Sequence, residues 1–325
     1  MKVVVLYSEV SNQSSPDDLD VLVQVDAVVR ALKKMRHSPI AIAMSLDLHS
    51  AMQQLTSENP HFVFNLVESL NGMGRFIHFA PAVLDQLNLP YSGSSTHALY
   101  ITTNKVESKK QLKSAGIPTP PWFSSESREE RRHLPLPCII KPIWEDASVG
   151  IDENSLVYQK DQLDDVLREK TIHHGECLVE SYINGREFNL SLLAGADGPD
   201  VLPPAEMLFR HFPENKPHIV DYRAKWDEES FEYKNTIRTF DFPKSDLALL
   251  EQLRELALRC WFLFALRGYA RVDFRVDKSG RPWVLEVNAN PCISPDSGFV
   301  AASEKAGLTY GQVIERIMND SMRVT

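Results

Sequence analysis

The stretch Arg271-Val272-Asp273-Phe274-Arg275-Val276-Asp277-Lys278-Ser279-Gly280-Arg281-Pro282-Trp283-Val284-Leu285-Glu286-Val287-Asn288 reads as a β-hairpin. Side chains alternate along a strand, so Arg271, Asp273 and Arg275 share one face of its first half, with Val272 and Phe274 opposite. In the second half Glu286 and Asn288 share a face, with Leu285 and Val287 opposite. A turn over Lys278 to Arg281 sets Asp273 across from Glu286 and Arg271 across from Asn288. Two facing carboxylates repel, and such a pair needs a proton or a bridging cation. A hard divalent cation with oxygen ligands answers that need, and Mg²⁺ shared with phosphate oxygens fits best. Asp273, Glu286 and Asn288 are then candidate metal ligands. A plainer reading stays open at this point: an exposed hairpin in which Asp273 pairs with Arg271 or Arg275.

Working outward, Val3 to Leu6 is a short apolar run, as in a buried parallel strand. A polar loop follows from Ser11 to Asp18. Val21, Val25, Val28, Val29 and Leu32 recur at helical spacing. Ile40 to Met44 and Phe62 to Val67 read as further strands, and a helix lies between Arg75 and Asn88. Strands alternating with helices imply a parallel α/β sheet. A helical unit from Thr103 to Ala115 stops at Gly116, with Pro118 beyond. Ser124 to Pro137 is charged and reads as an exposed loop. Cys138 to Pro142, Leu178 to Glu180 and Glu187 to Leu193 read as strands, and Leu247 to Leu266 as an amphipathic helix. Pro213 to Thr236 is polar and aromatic-rich with little periodicity, as expected of a long functional loop.

The chain's 325 residues exceed one ordinary core. The pattern predicts an N-terminal Rossmann-like unit over 1–96, a central unit over 97–185 and a C-terminal unit over 186–325 that carries the hairpin. A net charge of −9 argues against a nucleic-acid partner. No apolar run approaches a membrane span, and the N-terminus reads as a strand and not as a signal peptide. The four cysteines, Cys138, Cys177, Cys260 and Cys292, form no C-x-x-C pair, so reduced thiols in the cytoplasm are expected.

Gly268-Tyr269-Ala270-Arg271-Val272-Asp273-Phe274, then Leu285-Glu286-Val287-Asn288-Ala289-Asn290-Pro291 and Ala306-Gly307-Leu308-Thr309-Tyr310, resemble the C-terminal signature of the D-alanine–D-alanine ligase family. That family belongs to the ATP-grasp superfamily. Further pieces resemble it in the same order: Asn104-Lys105, Ile140-Lys141-Pro142, Ser148-Val149-Gly150, Glu180 to Glu187, and Asp221-Tyr222-Arg223-Ala224-Lys225. The resemblance implies an α/β, three-domain ATP-grasp fold using ATP and Mg²⁺, for which Mn²⁺ can substitute. Asp273, Glu286 and Asn288 would hold the metal. Lys105, Lys141, Lys225 and the backbone of Ser148 and Val149 would contact phosphates, where small residues let N–H groups approach. Glu180 and Ile183 would meet the adenine and Glu187 the ribose. Arg271 and the N–H of Cys292 would stabilise an oxyanion, and Ser297 would bind the second substrate's carboxylate. Small-molecule carboxylate and amine substrates are expected, and a homodimer.

The chain also departs from that family. Cys292 stands where it has glycine, Ala147 where it has serine, Trp226 where it has tyrosine, and Glu68-Ser69 where it has histidine and glycine. Its N-terminal glutamate has no clear counterpart; Asp17, Asp18 and Asp20 are candidates, and Arg75 is a candidate new anionic contact. The expected activity is therefore ATP-dependent joining of a carboxylate to an amine, with a first substrate other than D-alanine. Two alternatives are a genuine D-alanine–D-alanine ligase and an ATP-binding protein without ligase activity.

Overall fold

The computed structural model describes residues 1–124 and 135–322. Strands β1 (Lys2–Ser8), β2 (Ser38–Met44) and β3 (Phe62–Leu66) form a parallel sheet in the order β2-β1-β3. Helix α1 (Pro16–Lys34) starts earlier than the polar loop suggests, because Pro16 fits the first helical turn. Asp17 and Asp18 then sit at its positive end and Lys33 and Lys34 at its negative end. Its buried stripe is Val21, Gln24, Ala27, Val28, Ala31 and Leu32. Helix α2 (Leu48–Glu58), capped by the Asp47 side chain, was not read from the sequence; α3 (Phe79–Gln86) was.

The expected helix at 103–115 is Lys105–Ser114, and a second helix that the sequence did not signal, Thr96–Thr103, precedes it. Asn104 ends α4 (Thr96–Thr103) and begins α5 (Lys105–Ser114), its side chain accepting from the N–H groups of Val106 and Glu107. Strands β4 (Trp122–Ser124), β5 (Cys138–Pro142) and β6 (Leu156–Val157), helix α6 (Leu163–His174) and strand β7 (Cys177–Ser181) make the middle unit. Its sheet runs β4-β7-β5-β6, all antiparallel. Most of the loop expected at Ser124 to Pro137, residues 125–134, lies outside the described residues.

The largest sheet contains β8 (Gly185–Ala194), β9 (Pro199–Val201), β10 (Ala205–Phe209), β11 (Thr236–Thr239), β12 (Tyr269–Asp277) and β13 (Pro282–Asn288), in the order β11-β10-β8-β12-β13, with β9 on β8. Between β10 and β11 lie α7 (Tyr222–Trp226) and α8 (Phe231–Asn235), so the aperiodic stretch holds two helices too short to register as periodicity. Helix α9 (Leu247–Leu263) covers one face of this sheet. Leu253, Ala257, Cys260 and Trp261 pack with Phe188, Leu190, Val272 and Phe274, and with Leu99 and Leu112 from α4 and α5. The other face is left for chemistry.

Helices α10 (Gly298–Lys305) and α11 (Tyr310–Met322) return to the N-terminal unit. Val313, Ile314, Ile317 and Met318 share one core with Val3, Val5, Val28 and Leu32. No helix among the described residues is long and apolar enough to cross a membrane.

Candidate active site

The exposed face of the large sheet carries polar residues in cross-strand rows. Ser191, Arg271 and Asn288 are register partners, as are Asn189, Asp273 and Glu286; the next row is Glu187, Arg275 and Trp283. The pairing of Asp273 with Glu286 is the one expected, by a route that differs from expectation. The turn is centred one half-residue earlier, with Asp277 and Arg281 joined across it, and a bulge between Asp273 and Phe274 on the paired strands restores the register. Leu285 is the extra residue. It lines the cavity in place of the core, where Val284 and Val287 lie instead.

Arg271 donates to both oxygens of Asp273, Nε to Oδ1 and Nη2 to Oδ2, each at 2.8 Å. Asn189 and Asn288 donate to the same carboxylate at 2.8 and 3.3 Å. The plainer pairing of Asp273 with Arg271 therefore forms, but on a buried residue. Glu286 is different. Burial would raise its pKa, yet the charges of Lys105, Lys225, Lys141 and Arg271 bring it down to about 2. Glu286, Asp273 and Asn288 on one cavity wall offer hard-oxygen donors of the kind that suit Mg²⁺ with phosphate oxygens completing the shell.

These residues line one cavity of about 620 Å³. At its nucleotide end, Lys141 on β5 donates to Glu180 on β7 at 2.8 Å, and buried Lys109 contacts the same carboxylate. Burial alone would raise the pKa of Glu180; the two lysines hold it below its ordinary value. Ser181, also on the wall, has a buried hydroxyl with no hydrogen-bond partner among the described residues. Ile183 and Glu187 lie on the wall too, with Glu187 bound to Arg275 at 2.8 Å.

The loop after β5 turns sharply. Ala147 and Ser148 adopt left-handed φ values of 54° and 65°, and Gly150 has φ 73°. Such strain in non-glycine residues accumulates at ligand sites. Gly150 is also sterically required: a Cβ there would lie 2.8 Å from Pro142 Cγ. Ser148 donates to the carbonyl of Val220 at 2.7 Å and lines the cavity. Val149 instead faces an adjoining cavity. Lys105 is also off the cavity wall. It is buried behind the loop against Asp146 at 3.4 Å and the carbonyl of Glu145, near enough for its charge to act on Glu286.

The segment carrying α7 covers this loop. Asp221 caps the helix, Tyr222 donates to Asp17 at 2.8 Å, and the Trp226 indole donates to the carbonyl of Ala147 at 3.2 Å. Trp226 and Ala147 thus meet through the backbone, without a serine hydroxyl. Lys225 lines the cavity, its pKa lowered by burial and then by Arg271.

Beyond the sheet rows the cavity ends on α1. Asp20 accepts from Ser294 at 2.7 Å and from the Cys292 thiol at 3.1 Å. Gln24 donates to Glu68 at 2.8 Å and to Asp20 at 3.3 Å, and accepts the N–H of Ile293. Burial, with Asp20, Asp146 and Asp17 adding to it, pushes the Glu68 carboxyl up to about 8 against the Gln24 hydrogen bond. Of the three candidate acids only Asp20 lines this cavity; Asp17 is held by Tyr222 and Asp18 by Ser69. Arg75 is exposed and lies over Phe76, away from the cavity. Ser297 lines the wall and caps α10. Lys109, Gln24, Leu285 and Arg238 are wall or support residues missed in the sequence. Lys109 follows Lys105 by one helical turn, a spacing that could have revealed it; the others carry no sequence signal.

The chain is similar to known proteins along most of its length. A family model described as the D-ala D-ala ligase C-terminus matches residues 111–319. An uncharacterized protein of Sinorhizobium fredii, y4sG, is 32% identical over 310 residues, covering 92% of this chain and 87% of that protein. A D-alanine–D-alanine ligase of Carboxydothermus hydrogenoformans is 30% identical over 304 residues, covering 90% of each. The crystal structure of the Bacillus anthracis D-alanine–D-alanine ligase superposes with a TM-score of 0.77 at 26% identity, covering 100% of this chain and 98% of that one. Its complex with ATP gives 0.78 at 24% identity, with the same coverage. The chain belongs to the D-alanine–D-alanine ligase family and is an ATP-dependent ligase on the ATP-grasp fold.

Proposed function

We propose that this ligase joins a carboxylate to an amine through an acyl phosphate, with Mg²⁺ on the nucleotide, and that its first substrate is a carboxylate bearing a cationic group other than D-alanine. The observation that carries the reading is the Asp20–Gln24–Glu68 unit at the far end of a cavity whose middle holds Arg271, Asp273, Glu286 and Asn288. Asp273, Glu286 and Asn288 would hold the metal, which when bound neutralises phosphate charge. Lys141, Lys225 and the Ser148 loop would take the triphosphate, Glu180 and Ile183 the adenine, and Glu187 the ribose. Lys105 and Val149 would act from behind the loop.

The chemistry follows from the leaving group. A carboxylate does not lose oxide to an amine at neutral pH. Its oxygen attacks the γ-phosphorus, the bond from phosphorus to ADP breaks, and the acyl carbon gains phosphate as a leaving group. The amine, as its neutral free base, then attacks the acyl carbon; the tetrahedral oxyanion collapses, the carbon–oxygen bond to phosphate breaks, and the nitrogen gives up a proton to the departing phosphate or to solvent. Arg271 and the N–H of Cys292, both on the cavity wall, would stabilise that oxyanion.

At neutral pH a Glu68 carboxyl titrating near 8 is mostly protonated, joined to Asp20 through Gln24. A substrate cation between them would lower that pKa and release a proton. Genuine D-alanine–D-alanine ligation is the second reading, favoured by the relative of that name. One assay separates them: ADP release and product mass with D-alanine alone against a panel of cationic carboxylates paired with amino acids. Turnover on D-alanine unmatched by other donors would establish the second reading and overturn ours.

A further inference from the structure

Behind Glu68 lies a second cavity, of about 520 Å³. Glu68, Asp146, Ala147 and Ile151 line both cavities, so the two adjoin there, and Ala147 adds only a methyl group to the boundary. The second cavity is acidic. Asp17 and Asp18 from α1 and Glu145, Asp146 and Asp152 from the loop after β5 line it together with Glu68. Two of the six have a cation of their own: Lys105 lies 3.4 Å from Asp146 and Lys170 2.8 Å from Asp152. Asp17 and Asp18 have hydroxyl partners, from Tyr222, Ser15 and Ser69, and Glu145 accepts the backbone N–H of Gly74.

The basic groups on this wall do not offset those charges. Arg223 is engaged by Glu232 at 3.4 Å and Asp227 at 3.6 Å. Burial, then Lys170 and His173, lower the pKa of His174, so its ring is neutral at pH 7. Burial and then the charge of Asp146 raise the Glu145 carboxyl, and Asp146 acts on Glu68 as well, so one negative field spans the boundary. Glu68 itself is buried and incompletely paired. Gln24 binds its Oε1, while Oε2 meets no hydrogen-bond partner among the described residues. No group of three carboxylates among the described residues could hold a metal ion. Acids spread around a cavity of this size suit an organic cation carried on a chain, since small-molecule sites run to about 300–1,000 Å³.

We propose that the second cavity binds a second cationic group of the acyl donor, so that the first substrate is a basic amino acid whose side-chain amine or guanidine passes beyond Glu68. This deepens the cationic-substrate reading above and rests on it. With the α-ammonium at the Asp20–Gln24–Glu68 unit, the side chain crosses at Ala147, and its cation relieves the repulsion among Asp17, Asp18 and Glu145.

Hydroxylamine isolates the first half of the reaction: its nitrogen attacks the acyl phosphate, phosphate leaves, and the nitrogen loses a proton to give a hydroxamate. The full-length enzyme with ATP and Mg²⁺ is given lysine, arginine, norleucine or hexanoate, with both enantiomers of the amino acids, and hydroxamate is measured. In wild type, kcat/KM for lysine or arginine is expected to exceed that for norleucine by at least about tenfold, the worth of one charge-assisted contact. Glu145→Gln keeps an acceptor for Gly74 and should cut that preference by about threefold to tenfold; Glu145→Lys should abolish it, with a smaller change for norleucine. Norleucine used as well as lysine and arginine overturns this inference and leaves the cationic-substrate reading standing. So does a preference that neither Glu145 variant alters. Hexanoate used as well as norleucine overturns that reading, and this inference with it, as does the absence of hydroxamate from every acid.

Discussion

Arg271 serves two masters in the nucleotide-free site. It neutralises Asp273 by a bidentate bond and faces Lys225 and Glu286 across the cavity. Removing it should leave ATP affinity nearly intact and lower turnover by about 10²–10³, the usual loss for one oxyanion donor. Single-turnover kinetics of Arg271→Ala with saturating substrates check this, and near-full turnover would exclude the role. Glu68 gives a second residue-scale prediction. Its folded pKa of about 8 lies above the ordinary 4.5, so the native state holds a proton the unfolded chain has lost. That contribution to stability is complete below about 4.5 and disappears as pH climbs through 8. Glu68→Gln keeps a neutral group there, so its denaturation midpoint should fall less steeply than wild type between those pH values. Parallel curves would show that Glu68 is ionised in the fold. At this scale the sequence was legible in the cross-strand pairing of Asp273 with Glu286 and of Arg271 with Asn288. It was silent on Gln24, whose role comes from what faces it across elements far apart in the chain.

Elements were legible where burial imposes a period. The alternation of β12 and β13 placed Asp273 opposite Glu286, yet strict alternation also put Leu285 in the core. A bulge breaks the period without leaving a mark in composition. Helices α7 and α8 escaped for the opposite reason, each being barely one turn long. Ile219 anchors the segment in an apolar cluster with Ile139 and Leu156. Helix α7 itself is fastened by polar contacts: Tyr222 to Asp17 and Trp226 to Ala147, with Val220 to Ser148 just before it. Contacts of that kind open at low cost, while an acyl phosphate must be kept from water. Residues 210–235 should therefore exchange amide hydrogens quickly in the free enzyme and slow down when Mg²⁺ and an ATP analogue are added. Identical exchange in both states would rule out a nucleotide-gated cover.

Over the whole molecule there are three sheets among the described residues, and the cores join segments far apart in the chain. Helices α4 and α5 pack under the large sheet, and α11 packs on α1. Periodicity shows which face of a helix is apolar and cannot show which distant surface it covers. Ile317 is fully buried in the core that joins the two ends of the chain. Ile317→Ala should cost about 2–5 kcal/mol, read as a lower urea midpoint; a loss below 1 kcal/mol would mean the ends are not coupled. The same core sets a timetable for the cell. The face of α1 formed by Val28 and Leu32 leaves the ribosome long before residues 310–322 exist, and translation at 5–20 residues per second separates the two events by roughly 15–60 s. For that interval the nascent N-terminal sheet carries an uncovered greasy surface, which makes it a client for a holding chaperone and ties the yield of active enzyme to the speed of its own synthesis.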